Sequence, residues 1–300
     1  MREYRPHGYQ RYVTDKMIEL PYMGAWLDMG LGKTVCTLTA LHELKYHRFC
    51  IRKALVIAPK NVAENTWTAE AAKWEHLQDL RLSVVLGTAK QRIAALRADA
   101  DVYIINRENT QWLVKYYGRE WPFDVVILDE STSFKNHQAK RFRALKAVRS
   151  RISRLIELTG TPSPKSLMDL WAQVYLLDGG ERLGRTISVY REIYFVPDKR
   201  SRTTIFSYAL KEGAEEAIYK QLSDICISMK SEDYLELRTG STTTYLLSWM
   251  PKPRKPTSNL RPTCFWRSER RRSSRLRAAL HSPESCCSCA MARCIRRSGT

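Results

Sequence analysis

Residues 28–34 read Asp-Met-Gly-Leu-Gly-Lys-Thr, and residues 125–132 read Val-Val-Ile-Leu-Asp-Glu-Ser-Thr. In the first segment two glycines precede a lysine and a threonine. Gly30 and Gly32 let backbone N–H groups come close to phosphate oxygens. Lys33 is placed to reach the β- and γ-phosphates of a nucleotide, and Thr34 offers a hydroxyl to Mg²⁺. The strict form of this loop has a glycine where Leu27 stands. The second segment ends an apolar run on adjacent carboxylates. Asp129 is the candidate to hold Mg²⁺, through water, and Glu130 the candidate to orient and deprotonate an attacking water. Phosphoryl transfer to water needs that pairing. Either segment alone also fits a glycine turn or an acidic strand end. Together, about 95 residues apart in one repeating pattern, they fit an ATP site with Lys33, Asp129 and Glu130 as the reacting groups.

That pattern is of strands alternating with helices. The strand candidates are MGAWLD (23–28), KALVIAP (53–59), LSVVL (82–86), DVYIIN (101–106), DVVILD (124–129) and LIELTG (155–160). KTVCTLTALHEL (33–44) and TAKQRIAALRA (88–98) between them have helical period. Runs of Val, Ile and Leu without polar alternation are buried on both faces, and alternation with helices indicates parallel βαβ units. The expected fold is therefore α/β, a doubly wound parallel sheet, with its sites at the carboxyl ends of the strands. Thr159 and Thr161 flank Gly160 at one such end, where their hydroxyls could relay contacts from the acidic pair or form a plain turn before Pro162. Lys60 and Arg107 stand at two others, where they could meet a nucleic-acid backbone or simply be solvated.

Charge and cysteine are unevenly spread. The chain has 300 residues and a net charge of +19. Residues 239–300 hold 13 Lys and Arg against 2 Asp and Glu, and the rest holds 37 against 29. A basic balance points to an anionic partner such as nucleic acid. Cys36, Cys50 and Cys226 are scattered through the body, as in a reducing compartment. MREYRPHGYQ at the start has no apolar segment for a secretory signal, and no run reaches the roughly 18 apolar residues of a membrane span. Residues 181–238 read as an irregular basic segment followed, over 211–229, by a helix and a short strand, CISM. Residues 239–300 have no sustained period and are rich in Ser, Thr, Pro, Arg and Cys, the composition of a disordered tail. Cys286, Cys289 and Cys294 with Cys287 or His281 could ligate zinc, and RSERRRSSRLR (267–277) could grip nucleic acid without sequence preference. The abrupt change near residue 238 is also what out-of-frame translation gives.

With these motifs in hand, the chain resembles the Swi/Snf-type ATPases of helicase superfamily two, particularly the compact phage and prophage members. The resemblance covers about residues 4–235. YRPHGYQ (4–10) resembles the adenine-reading segment, which implies Gln10 as the amide that bonds the base; an amide can donate and accept at once. DMGLGKT resembles motif I, LVIAPKNVAENTWTAEAAKW (55–74) motif Ia, IINREN (104–109) the next strand-end motif, LDEST the DEAH-type box, and LTGTPSPKSLMDLW (158–171) motif III with its helix. Lys165 departs from motif III, where the family carries asparagine. SMKSEDYLEL (228–237) resembles the lead into the family's second lobe, whose arginines reach the γ-phosphate across a cleft, and the resemblance stops after Leu237.

The resemblance implies residues 1–180 as a RecA-like ATP-binding lobe and 181–238 as a connector toward a second lobe, and composition leaves 239–300 as a disordered tail, either genuine or a frameshift product. It implies ATP and Mg²⁺ as ligands, Thr159, Gly160 and Thr161 as coupling residues, Lys60 and Arg107 as DNA contacts, duplex DNA as partner, and a bacterial or phage-infected cytoplasm as location. Two functions follow. One is an ATP-driven motor acting on duplex DNA. The other is a nucleotide- and nucleic-acid-binding module with little or no turnover. A nucleotide kinase would share the loop, but Gln10 and LTGTP argue against it.

Overall fold

A sheet that buries both faces needs a layer of helices on each. In the computed structural model, which describes residues 2–160, 166–199 and 207–234, the strands are β1 (Tyr22–Leu27), β2 (Ala54–Ala58), β3 (Leu82–Val85), β4 (Val102–Asn106), β5 (Val125–Asp129), β6 (Arg154–Thr159), β7 (Phe195–Pro197), β8 (Tyr208–Leu210) and β9 (Cys226–Met229). Seven of them form one parallel sheet in the order β3-β4-β2-β5-β6-β1-β9. The six strands expected from the sequence are all present, each within one residue of its expected ends. The helices are α1 (Gly8–Glu19), α2 (Lys33–His42), α3 (Trp67–Ala71), α4 (Ala89–Arg97), α5 (Thr110–Tyr117), α6 (Lys140–Val148), α7 (Leu170–Asp178), α8 (Ile187–Tyr194), α9 (Ala214–Leu222) and the single turn α10 (Ser231–Tyr234).

Successive strand residues point to opposite faces, and the core divides accordingly. Met23, Ala25, Leu27, Val56, Ile104, Ile127 and Ile156 pack with Val13 and Met17 of α1, Leu38 and Leu41 of α2 and Trp67 of α3. Trp26, Leu55, Ile57, Tyr103, Val126, Leu128 and Leu155 pack on the other side with Phe142 of α6, Val174 of α7, Tyr190 of α8 and Ile218 of α9. This is the doubly wound arrangement.

Of the segment expected as a connector, residues 181–199 and 207–234 are described and pack into the lobe: the helix and short strand expected over 211–229 are α9 and β9, while α8 and the β7–β8 pair stand where an irregular stretch was expected. In α8, Tyr190 and Tyr194 lie on one face, four residues apart, and bury against the core. The chain then turns through the antiparallel pair β7–β8, with Phe195 opposite Leu210. Ala214, Ile218 and Leu222 of α9 join the same cluster, and β9 becomes the seventh strand, with Cys226 opposite Gly24 of β1. Gly24 makes that pairing possible, because a Cβ there would fall 2.8 Å from the Cys226 sulfur. The apolar spacing is present in the sequence, but interspersed basic residues mask it. The expected tail, with its zinc and basic-run readings, lies outside the described residues. None of the described helices is long and apolar enough to cross a membrane.

Candidate active site

Three loops leave the carboxyl edge of the sheet side by side. β6 lies between β1 and β5, with Trp26 opposite Thr159 and Asp129 opposite Leu158. The loops after β1, β5 and β6 carry DMGLGKT, the acidic pair and LTG.

In the first loop Gly30 and Gly32 have φ of 88° and 79°, the left-handed region that a side chain resists. This turn opens α2 at Lys33, with Thr34, partly buried, as its second residue. The Lys33 ammonium donates to the carbonyls of Leu27 at 2.7 Å and Asp28 at 3.2 Å. Burial pulls its pKa down, against the opposing fields of Asp129, Glu130 and Asp28. A half-buried ammonium whose hydrogen bonds go to carbonyls rather than a carboxylate suits an anionic ligand such as a triphosphate. Gln10, buried in the first turns of α1, accepts from the His7 N–H at 3.0 Å through Oε1. Its Nε2 lies 2.6 Å from where a Cβ on Gly32 would stand. The expected base-reading amide is thus packed against the phosphate loop, and a side chain at position 32 would have to displace it.

In the second loop the indole N–H of Trp67 donates to Asp129 Oδ2 at 2.9 Å. Burial raises the Asp129 pKa, while the Trp67 hydrogen bond and the charge of Lys33 oppose the rise. Glu130 adopts φ 58° and ψ 62°, a left-handed conformation that costs on the order of 1 kcal/mol or more for a residue with a side chain. Its carboxylate accepts from Thr132 Oγ1 at 2.7 Å and from Thr159 Oγ1 at 3.5 Å. The residue after it is anchored, because Ser131 Oγ donates to Gln173 Oε1 of α7 at 2.9 Å in a buried contact. Magnesium is commonly held by one or two carboxylates together with substrate phosphates and water. Asp129 and Thr34 fit that pattern, and no group of three or more His, Cys, Asp or Glu able to hold a metal occurs among the described residues.

The structure brings Gln10, Gly30, Gly32, Lys33, Asp129, Glu130, Thr159 and Gly160 to one end of the sheet. Thr161 and Lys165 fall outside the described residues. Lys60 and Arg107 follow β2 and β4, on the same edge but in the other half of the sheet, and engage neighbouring acids: Lys60 is 3.8 Å from Glu64 and Arg107 3.0 Å from Glu108. Sequence reasoning did not single out Trp67, Thr132, Ser131 or Gln173. A large indole in a short helix of otherwise small or polar residues, WTAEA, was the available signal for Trp67; Gln173 carried none. Nor did it single out Glu157 of β6. Burial pushes that carboxyl well above its usual range, with Ser131 opposing, and its Oε1 has no hydrogen-bond partner among the described residues.

Comparison with known proteins adds to this geometry. A family model described as the SNF2-related domain matches residues 26–245. Protein p41 of Acyrthosiphon pisum secondary endosymbiont phage 1 is 38% identical over 246 residues, covering 79% of this chain and 53% of p41. Helicase ssl-1 of Caenorhabditis elegans is 33% identical over 184 residues, 59% of this chain and 7% of that protein. Among solved structures, the Sulfolobus solfataricus SWI2/SNF2 ATPase core in complex with dsDNA superposes with a TM-score of 0.60 at 23% identity. The match covers 76% of this chain and 45% of that one, a likeness of fold. The chain spans about half the length of p41 and of the Sulfolobus core.

Proposed function

This chain belongs to the SNF2-related family of helicase-like ATPases, and on that premise we propose that it is the ATP-binding lobe of an ATPase that acts on duplex DNA. The observation that carries the proposal is the placement of Lys33, Asp129 and Glu130 after β1 and β5, the two strands that flank β6, close enough for both carboxylates to act on the lysine, with the Gln10 amide against Gly32. Gln10 binds the adenine edge and the glycine loop wraps the phosphates. Lys33 leaves its two carbonyls for the β- and γ-phosphates. Asp129 and Thr34 would hold Mg²⁺, which when bound would neutralise phosphate charge. Glu130, kept in place by Thr132 and Thr159, orients the attacking water and takes its proton. Thr159, Gly160 and Thr161 pass the state of that carboxylate along the edge, toward the positions where Lys60 and Arg107 would meet DNA phosphates. The Sulfolobus core, similar in fold, was solved in complex with dsDNA, which supports that choice of partner.

A second reading is favoured by coverage. The matched residues account for about half of p41, and the described residues hold one seven-stranded parallel sheet. An arginine supplied across a cleft is worth about 10³–10⁵ in rate in related phosphate-loop enzymes. On this reading residues 1–300 alone bind nucleotide and turn it over near background, with or without duplex DNA. Titration with a fluorescent ATP analogue and a phosphate-release assay test both readings. Lys33→Ala should weaken Mg-ATP binding about 10–100-fold, the range expected for charge-assisted hydrogen bonds. Equal affinity in the two proteins would remove the nucleotide assignment, and robust DNA-stimulated release by this chain would remove the second reading.

A further inference from the structure

The segment that follows the seventh strand is tied to the nucleotide site at two independent points. At its start, the Ser231 N–H donates to Asp28 Oδ2 at 3.1 Å, and Asp28 is the first residue of the phosphate loop. The Asp28 N–H in turn donates to the Met229 carbonyl at 3.1 Å, extending the β1–β9 ladder to the mouth of that loop. At its end, the Tyr234 ring lies 5.2 Å from the Tyr9 ring, tilted by 50°. Tyr9 immediately precedes Gln10. Tyr9 also stacks against His7, with ring centroids 5.6 Å apart and planes within 8°. The result is a set of three aromatic rings around the start of α1, the element that also carries the amide that the proposed function assigns to the base. Tyr9 in the middle is buried at 9% exposure, whereas Tyr234 keeps 46% of its surface in solvent.

A buried ring touching two others is packing, but a half-exposed tyrosine on a segment held at both ends keeps ring surface open to a ligand at a fixed position. Purines are gripped in this way: hydrogen bonds read the edge, and an aromatic face supplies sequence-tolerant stacking energy. We propose that Tyr234 is a base-stacking residue of the nucleotide site, completing from the far end of the lobe the adenine pocket whose edge-reading group is Gln10. Asp28 is its positioning residue, fixing the turn that presents the ring. The inference rests on the nucleotide-binding reading of this lobe and extends it to residues distant in sequence from the phosphate loop.

The experiment compares two ligands on the full chain, fluorescent ATP analogue and inorganic tripolyphosphate, the latter by displacement. Wild type, Tyr234→Ala and Tyr234→Phe are titrated with each. Stacking of one base on an aromatic ring predicts about a tenfold loss of ATP affinity in Tyr234→Ala. Tripolyphosphate affinity should stay within about twofold, and Tyr234→Phe should restore ATP binding because the ring, not the hydroxyl, does the stacking. Equal weakening of both ligands by Tyr234→Ala would assign the ring a purely structural role and overturn the proposal, as would full ATP affinity without the ring. Wild-type protein that binds neither ligand would overturn the nucleotide reading itself and this proposal with it.

Discussion

Asp101 and Asp129 are two aspartates at opposite ends of the same sheet, and they are treated in opposite ways. Asp101 precedes β4 at the amino edge and is 3% exposed. Its carboxylate accepts from the Arg81 backbone N–H at 3.0 Å, Arg81 Nε at 3.2 Å and Nη2 at 3.0 Å, and the Tyr46 hydroxyl at 2.8 Å, with Lys45 at 3.2 Å. Burial alone would raise its pKa, but these partners hold it well below the usual carboxylate range. Asp129 ends β5 at the carboxyl edge. Burial raises its pKa, and Trp67 and Lys33 only partly oppose that. Five donors saturate a carboxylate that only has to stay put. A carboxylate that must still bind a cation is left short of donors. Strand-end acids alone do not mark a functional site; an incompletely neutralised one beside an incompletely neutralised lysine does.

Asparagine substitutions sharpen this contrast. Asp129→Asn should weaken nucleotide binding in the presence of Mg²⁺ by about tenfold or more, the loss of one charge-assisted contact. With Mg²⁺ chelated it should bind ATP as well as wild type or better, because a carboxylate near the triphosphate has gone. Asp101→Asn should match wild type under both conditions, and the same Mg²⁺-specific loss there would erase the distinction. Stability should run the other way. Asp101→Asn replaces hydrogen bonds to a charged group and should cost about 2 kcal/mol in denaturant unfolding, whereas Asp129→Asn should cost nothing or stabilise.

The pH dependence follows from the signs of the two shifts. The lowered folded pKa of Asp101 gives stability that is present above its unfolded value of about 3.9 and lost as pH falls below it. The raised folded pKa of Asp129 means that ionising it opposes folding, so that burden lifts as pH falls from neutral toward about 3.9. The stability gap between wild type and Asp129→Asn should therefore narrow on acidification. The gap between wild type and Asp101→Asn should hold until the carboxylate range and then close. A gap to Asp129→Asn that widens instead would contradict the raised value.

Much of this architecture is legible in the sequence. The Val-Ile-Leu runs mark six strands, because burial on both faces leaves no polar alternation to confuse with a helix. Gly30-Leu31-Gly32-Lys33 and Asp129-Glu130 carry their chemistry in adjacent residues, so spacing alone exposes them. What stays hidden depends on contacts between distant segments. Nothing in CISM announces that it pairs with β1, since the partner condition is the missing side chain of Gly24 some 200 residues earlier. The left-handed turn at Glu130 is invisible for the same reason: it is imposed from outside, through Ser131 and Gln173. Residues 181–199 read as irregular because the charged Arg191 and Glu192 between the tyrosines of α8 hide a buried face.

Trp67 offers the smallest effect and the finest test of the contrast between the two aspartates. It is fully buried, and its indole N–H ties α3 to Asp129. Trp67→Phe keeps an aromatic ring in the core while removing the donor. Two effects follow. Loss of ring volume destabilises the lobe by about 1–2 kcal/mol whatever stands at 129. Loss of the N–H lets the Asp129 carboxylate shift and makes it harder to ionise, which should weaken Mg²⁺-dependent nucleotide binding by about threefold, a little under the net worth of one hydrogen bond. The two are separated by a double-mutant cycle with Asp129→Asn. If the indole acts through the carboxylate, Trp67→Phe should weaken Mg²⁺-dependent binding in the wild-type background and leave it unchanged in the Asp129→Asn background, while the stability loss appears in both. The same threefold loss in both backgrounds would mean that Trp67 only fills space, and that Asp129 is positioned by its strand alone.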